Sequence, residues 1–361
     1  MAHAMANALS LPRNYALDGP ENRRAVERGL ANATWYTSPI PRARMRQLMQ
    51  RKDGPAIRDT VIWFALLAVS GALGGLAWGT WWAVPAFAVY GVLYASVSDS
   101  RWHECGHGTA FKTSWMNEVI YHLASFMAVR APTPWRWSHA RHHSDTIIVG
   151  RDPEIAVPRP PRIARLLANF THLVSAPKDL ANMLRHSVGR LHPAERDFIP
   201  EGEERAIFWT SRAHLAIYAA FVFWAIAARS VLPLMYVGLP TLYGSWLMVV
   251  FGLTQHAGLA EDVLDHRLNC RTVSLNPVLR WLYWNMNYHV EHHMFPMAPY
   301  HALPALHEVL KADMPPPYRG LWEAYREIIP TIWRQSKDPT YFVRRPLPAP
   351  PPNNSLDAAR A

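Results

Sequence analysis

Nine histidines fall at spacings that can do chemistry. His103 and His107 form an HxxxH pair, and His139, His142 and His143 form an HxxHH box. His289, His292 and His293 repeat that box, and His256 stands alone in the run LTQHAGL. On a helix, positions i, i+3 and i+4 share a face, so each HxxHH turns three imidazoles the same way and HxxxH turns two. A structural zinc site takes four ligands. Nine imidazoles instead suit two metal ions with four or five ligands each, leaving positions for oxygen or substrate. Imidazole accepts zinc, copper, iron or nickel, so ligand type alone does not choose the metal.

The other nine histidines (His3, His122, His172, His186, His192, His214, His266, His301, His307) show no such clustering and are read as ordinary. Cys105 lies two residues from each member of the first pair, so a helix points it away into packing. Glu104, Asp145 and Glu291 are candidate acceptors for the N–H groups of metal-binding imidazoles.

The elements that must position these residues are marked by missing charge. No Asp, Glu, Lys or Arg occurs from Thr60 to Val97, and only Arg229 occurs from Ala213 to Ala260. Thr60–Gly79 is long enough, at ~30 Å as a helix, to span a hydrocarbon core. Trp81–Val97 and Ala213–Ala228 are slightly shorter. Val231–Leu253 contains Pro233 and Pro240, which membrane helices tolerate better than soluble ones. The expectation is four spans in two hairpins. The competing reading is two buried hairpins in a large soluble helical domain, but long uncharged runs read first as spans. Trp78, Trp81 and Trp82 at the first tip suit the headgroup layer.

Composition agrees. Half of the 361 residues are apolar and 18% are charged, below the ~25% usual for soluble chains. Two cysteines exclude a disulfide scaffold and a Cys₄ cluster within one chain. The net charge of +10 fits nucleic acid or a basic cytoplasmic membrane face equally well as a sum. Its distribution favours the second. Of 37 Lys and Arg, only Arg229 falls at a hairpin tip, while Arg42, Arg44, Arg46, Arg51, Lys52, Arg58 and Arg101 flank span ends. The termini, the middle segment and all nine box histidines are therefore expected on the cytoplasmic side, with no role for nucleic acid. Redox chemistry at a membrane surface would favour iron. Met1–Asp59 has no long apolar run near its start, so no cleavable signal peptide is expected.

The fold class expected is an all-α membrane protein, with two transmembrane hairpins and a helical cytoplasmic cap holding a di-metal histidine site. The divisions are 1–59, a cytoplasmic N-terminal segment; 60–97, the first hairpin; and 98–212, cap with the first two boxes. Next are 213–253, the second hairpin; 254–344, cap with His256 and the third box; and 345–361, a Pro-rich disordered tail. Trp115–Val129 is expected as an amphipathic interfacial helix and Arg159–Gly202 as a helical cytoplasmic segment.

From about Thr60 to His307 the chain resembles the membrane fatty acid desaturase family, which includes alkyl-chain hydroxylases and related monooxygenases. The resemblance rests on three histidine boxes in this order, with two spans before the first and two between the second and third. It implies a mushroom-like helical fold, a di-iron centre, and use of O₂ and two electrons to oxidise an unactivated C–H bond. Carried over by residue, the metal ligands are His103, His107, His139, His142, His143, His289, His292 and His293. His256 is similar to the extra ligand after the fourth span, in surroundings nearer the alkane hydroxylase version. Gly252 stands where some desaturases place a water-linking Asn, leaving Asn285 or Asn287 as substitutes. The segments SDSRWHECGHGTAFK, HARHHSDTIIVGRDPE and NYHVEHHMFPMAP look closest to a bacterial subgroup of desaturases and hydrocarbon oxygenases. That subgroup includes an oxygenase of rhizopine catabolism, whose reaction would be O-demethylation.

Electrons are expected from outside, because no cytochrome b₅ domain, GxGxxG loop or iron–sulfur cysteine set is present. The basic stretches Arg42–Arg58, Arg136–Arg141 and Arg159–Arg165 are candidate docking sites for an acidic ferredoxin or rubredoxin. Arg42–Arg58 better fits the positive-inside signal with contact to anionic membrane lipid. The functional expectation is an integral-membrane di-iron oxidoreductase of the bacterial cytoplasmic (inner) membrane, desaturating or hydroxylating a lipid or alkyl chain. The alternatives are a monooxygenase of a smaller substrate such as a rhizopine and, more remotely, a metal transporter. A transporter should carry polar or ionisable groups inside its spans, and these spans carry none.

Overall fold

The computed structural model describes residues 13–348. Those residues form helices, with two isolated β-bridges and no strand among them. The expected disordered tail lies outside the described residues beyond Pro348.

The order begins with α1 (Pro20–Glu27), α2 (Arg42–Leu48) and α3 (Asp53–Leu76). Next come α4 (Ala83–Gly91), a π-helical stretch (Val92–Ser96) and α5 (Val97–Gly106). The cap continues with α6 (Ser114–Met127), α7 (Pro132–Ser144), α8 (Ile163–Ala168) and α9 (Ser175–Ser187). After α10 (Glu204–Ala227) come α11 (Leu232–Tyr236), α12 (Leu239–Tyr243) and α13 (Trp246–His256). The rest comprises α14 (His266–Asn269), α15 (Pro277–Leu282), α16 (His289–Met294), α17 (Leu303–Leu310) and α18 (Leu321–Gln335).

Among the described residues two apolar helices are long enough to cross a membrane, one ending at Leu76 and the other being α10. Their large apolar side chains stay on the outside. Val61, Leu66, Val69, Leu73 and Leu76 on α3, and Phe223, Trp224 and Ile226 on α10, are all exposed. A soluble core helix would bury such residues. The interior side of α3 is narrow: Trp63, Leu67, Ser70, Gly71 and Gly74 are buried. Gly74 lies against the Phe87 ring, and an added Cβ there would sit 2.8 Å from it.

The expected boundaries shift in ways the local chemistry explains. α3 starts seven residues before Thr60, at Asp53, whose carboxylate accepts from the Thr113 backbone N–H and hydroxyl. The stretch expected at Trp81–Val97 runs as helical backbone from Ala83 to Gly106 through the π-helical residues. There the Leu93 carbonyl accepts from Trp63 Nε1 at 2.8 Å. The single helix expected over Val231–Leu253 is broken into α11, α12 and α13. Pro233 and Pro240 each sit in a first turn, where a missing N–H costs nothing. Between them Val237 is extended and Gly238 takes φ 96°.

Arg101 also departs from expectation. It is fully buried rather than flanking a span at the surface. Its guanidinium lies 5.7, 5.0 and 4.8 Å from the rings of Trp63, Trp281 and Trp284 and donates to the Leu282 and Trp281 carbonyls. It pins α5 to the C-terminal end of α15.

α6 carries Trp115, Val119 and Leu123 exposed on one side, with Ile120, Tyr121 and Ala124 buried on the other. This is the amphipathic pattern expected for Trp115–Val129. The Arg159–Gly202 segment is helical in pieces, α8 and α9 with short 3₁₀ turns.

Candidate metal centre

Four elements bring the nine histidines together. His103 lies in the last turn of α5, and His107 caps that helix just before Gly108 takes φ 66°. A left-handed glycine is a standard helix stop. α7 starts at Pro132 and carries His139, His142 and His143. His256 is the last residue of α13. α16 begins at His289 and includes His292 and His293.

Their ring nitrogens separate into two groups. His103, His107, His139, His143 and His292 form one, and His142, His256, His289 and His293 the other, with ligand atoms within 4.8 Å of one another in each. The boxes divide in opposite senses. In α7 the i and i+4 histidines join the group of five and i+3 joins the group of four. In α16 the i and i+4 histidines join the group of four and i+3 joins the group of five. Shared helix face was foreseeable; this crossed division was not.

The nitrogen spacing tests whether metal fits. In the first group, His139 Nε2 lies 3.1 Å from His107 Nε2 and 3.2 Å from His143 Nε2, which is 3.2 Å from His292 Nε2. In the second, His289 Nε2 lies 3.0 Å from both His256 Nε2 and His293 Nε2. Imidazole nitrogens ~2.1 Å from one ion at right angles lie about 3 Å apart. The donor set therefore fits two ions, with five and four imidazoles.

The back side of the rings fixes which nitrogen points inward. His139 Nδ1–H donates to Glu154 Oε2 at 2.9 Å, and His142 Nδ1–H to Asp152 Oδ2 at 2.8 Å. His256 Nδ1–H donates to the Asn269 carbonyl at 2.8 Å. Thr146 Oγ1 gives its proton to the His142 carbonyl and so accepts from His293 Nδ1 at 3.1 Å. Such partners set tautomer and ring orientation. Burial depresses the pKa of His103, His107, His143, His256, His289, His292 and His293 well below the usual histidine value, reinforced by neighbouring rings. Neutral imidazole is the metal-binding form. Burial would also depress His142, but the Asp152 carboxylate outweighs it and raises that ring. Burial likewise pushes Glu154 up, yet the His139 and His142 rings and Ser138 hold it down to about 2.

The three acceptors expected from sequence divide. Glu104 Oε1 lies 3.5 Å from His103 Nδ1 and 3.6 Å from His292 Nδ1, between the two rings. Glu291 instead binds Thr272 and His307, and Asp145 pairs with Arg141 and Arg151. Asp152 and Glu154 take the role expected of Asp145. Their signal was present as the acidic pair closing the segment after the second box. Asn285 binds Tyr300 and Arg280, and Asn287 donates to the Val273 carbonyl. His266, read as ordinary, comes together with Cys270 and His293 in a third metal-capable group. Cys105 is buried in the apolar cluster with Trp63 and Tyr121, as expected.

A cavity of about 60 Å³ opens beside the group of five, lined by Trp102, His103, His107, Tyr121, Arg136 and His139 among others. Of the basic docking candidates, Arg159 is buried and Arg141 is paired with Asp145 and Asp197. Arg162 and Arg165 are exposed.

Comparison with known proteins gives the family. Residues 79–325 match the family model described as fatty acid desaturase. A Delta(12)-acyl-lipid-desaturase of Punica granatum is 28% identical over 301 residues, covering 73% of this chain and 74% of the relative. An endoplasmic reticulum omega-6 fatty acid desaturase of Glycine max is 25% identical, covering 70% and 72%. A chloroplastic temperature-sensitive sn-2 acyl-lipid omega-3 desaturase (ferredoxin) of Arabidopsis thaliana is 26% identical, covering 73% and 63%.

Proposed function

The chain belongs to the fatty acid desaturase family, and from that premise we propose an integral-membrane oxidoreductase using O₂ and two external electrons. It desaturates or hydroxylates an unactivated C–H bond of a lipid or alkyl-chain substrate. The observation that carries this reading is the convergence of nine imidazoles into groups of five and four. Iron is the metal assigned to both groups. Two bound irons would supply the reduction of O₂ to an oxidant able to take hydrogen from an unactivated carbon.

The protein's own residues do the rest. Glu154 and Asp152 keep the Nδ1 protons of His139 and His142 facing outward, leaving Nε2 lone pairs inward. Burial keeps water from the rings and pushes Glu104 up to about 8, and its Oε1 lies between the Nδ1 atoms of His103 and His292. The small cavity at Trp102 and His107 gives a diatomic molecule access to the group of five. Hydrogen removed twice gives a double bond; hydrogen removed once and replaced by oxygen gives an alcohol. Placement of the substrate carbon decides between them.

Four spans are assigned to α3, α4 with the π-helical stretch, α10, and α11 through Leu253 of α13. The histidine-bearing ends of α5 and α13 then lie in the cap, which sits with both termini in the cytoplasm of a bacterial inner membrane. The exposed apolar faces of α3, α6 and α10 support this assignment. Electrons come from a ferredoxin or rubredoxin with its reductase, and the exposed Arg162 and Arg165 offer a docking point. The word ferredoxin in the name of the Arabidopsis relative supports that donor class.

The test is expression with a ferredoxin and reductase, followed by mass spectrometry of lipid and small-molecule products. A new double bond or an added oxygen in a lipid chain is expected. Loss of a methyl group from a small substrate, with lipids unchanged, would replace this reading with the smaller-substrate monooxygenase.

A further inference from the structure

We propose that the groove between α2 and the chain just after α16 binds an anionic membrane phospholipid. The groove is a cavity of about 390 Å³, within the range of small-ligand sites. Its walls are Ile40, Met45 and Phe295, half-buried side chains that pack on the core around Leu48, Met294 and Leu306. Its rim is Arg42 and Arg46. They stand four residues apart, hence on one face of α2, and both are exposed.

The rim is positive without compensation. α2 reads RARMRQL, with no acidic residue, and neither Arg42 nor Arg46 has a carboxylate partner among the described residues. Arg58 and Arg267, by contrast, are paired, Arg58 with Asp59 and Arg267 with Asp265 and Asp313. An apolar trough with two free guanidinium groups at its edge fits an acyl chain carrying a phosphate, which arginine recognises through its planar fork. The location fits as well. α2 ends five residues before α3 begins, so its rim lies at the end of an apolar helix, where headgroups collect.

The floor of the groove is tied to the metal-bearing helix. Ser38 N–H donates to Met294 Sδ at 3.2 Å, and Tyr36 and Ser38 hydroxyls both bind Asp313. Phe295 comes two residues after His293. A bound acyl chain would therefore brace the end of α16 against the N-terminal segment. This inference rests on the membrane reading above, but its test does not depend on metal or turnover.

Native mass spectrometry of the full-length purified protein, titrated with phosphatidylglycerol or phosphatidylcholine, tests it. Phosphatidylglycerol should be retained preferentially. The Arg42→Gln/Arg46→Gln double variant should lose that preference by about ten- to thirty-fold, two headgroup contacts' worth. An Arg44→Gln/Arg51→Gln control, which removes the same charge away from the groove, should keep it. Equal retention of the two lipids by the unaltered protein, or equal loss in the control, overturns the proposal. So does a dimer that Arg42→Gln/Arg46→Gln dissociates, which would put a second copy in the groove. Iron content and product formation measured in parallel separate this failure from failure of the oxidase reading.

Discussion

Glu154 holds His139 from behind, with Oε2 2.9 Å from Nδ1, while the opposite nitrogen of that ring faces His107 at 3.1 Å. One carboxylate thus decides which nitrogen enters the group of five. Glu154→Gln should fold but lower metal affinity ten- to a hundredfold, the usual effect of removing such a partner. Competition with a graded chelator, read as metal per chain, measures this. Unchanged affinity would mean that the ring is oriented by packing alone.

His139→Ala and His292→Ala each take one donor from the group of five. Both variants should lose product formation and bound metal while still fractionating with membranes, because α3 and α10 are untouched. Full turnover by either would remove that residue from the ligand set.

Gly244 sits against the backbone of Gly91, where an added Cβ would overlap the Gly91 carbonyl oxygen. A backbone cannot yield as a side chain does. Gly244→Ala should destabilise by about 1–3 kcal/mol, the range for overpacking. Gly252→Ala, with nothing near its added Cβ, is the matched control. Thermal unfolding in detergent should separate them; equal midpoints would refute the close approach.

Burial pushes Asp179 in α9 up to about 7, despite the opposing charge of Arg130. A carboxyl raised in the folded state favours folding while protonated, so its contribution is present below the unfolded value near 4. It is lost as pH rises toward 7, at no more than about 1.4 kcal/mol per pH unit. Asp179→Asn should flatten stability between pH 4 and 7. A parallel loss in the variant would assign the slope to another group.

Both cysteines of the chain, Cys105 and Cys270, are buried, so labelling of introduced cysteines has a low background. Arg44→Cys and Arg229→Cys should react from opposite sides of the membrane in sealed vesicles. Reaction from one side would break the four-span assignment.

The sequence made the histidines legible because a scarce residue recurred at helical spacing. It did not show that each HxxHH box serves both groups, because i+3 and i+4 share a face whichever centre they meet. Asp152 and Glu154 were hidden for a different reason. They reach back to α7 only because the chain turns sharply at Ile147 and Gly150, both at positive φ, and spacing alone does not reveal that turn. Arg101 misled because a tally of positive charge ignores burial. Its cage comes from Trp63, Trp281 and Trp284, two of them about 180 residues away in sequence. The break at Gly238 was visible as Pro233 and Pro240, but hydropathy runs straight through both.

The π-helical residues Val92–Ser96 have a consequence for how this chain tolerates change in length. A π turn accommodates one residue more than an α turn, so the stretch takes up a surplus residue without rotating the helix beyond it. Removing one residue there should let the backbone relax to a regular helix with His103 and His107 still facing the centre. Removing one residue between Val97 and Trp102 has no such slack to draw on, and rotates both rings by about 100° relative to α4. The helix thus contains one short window in which a deletion preserves angular phase, just ahead of the residues that depend on it.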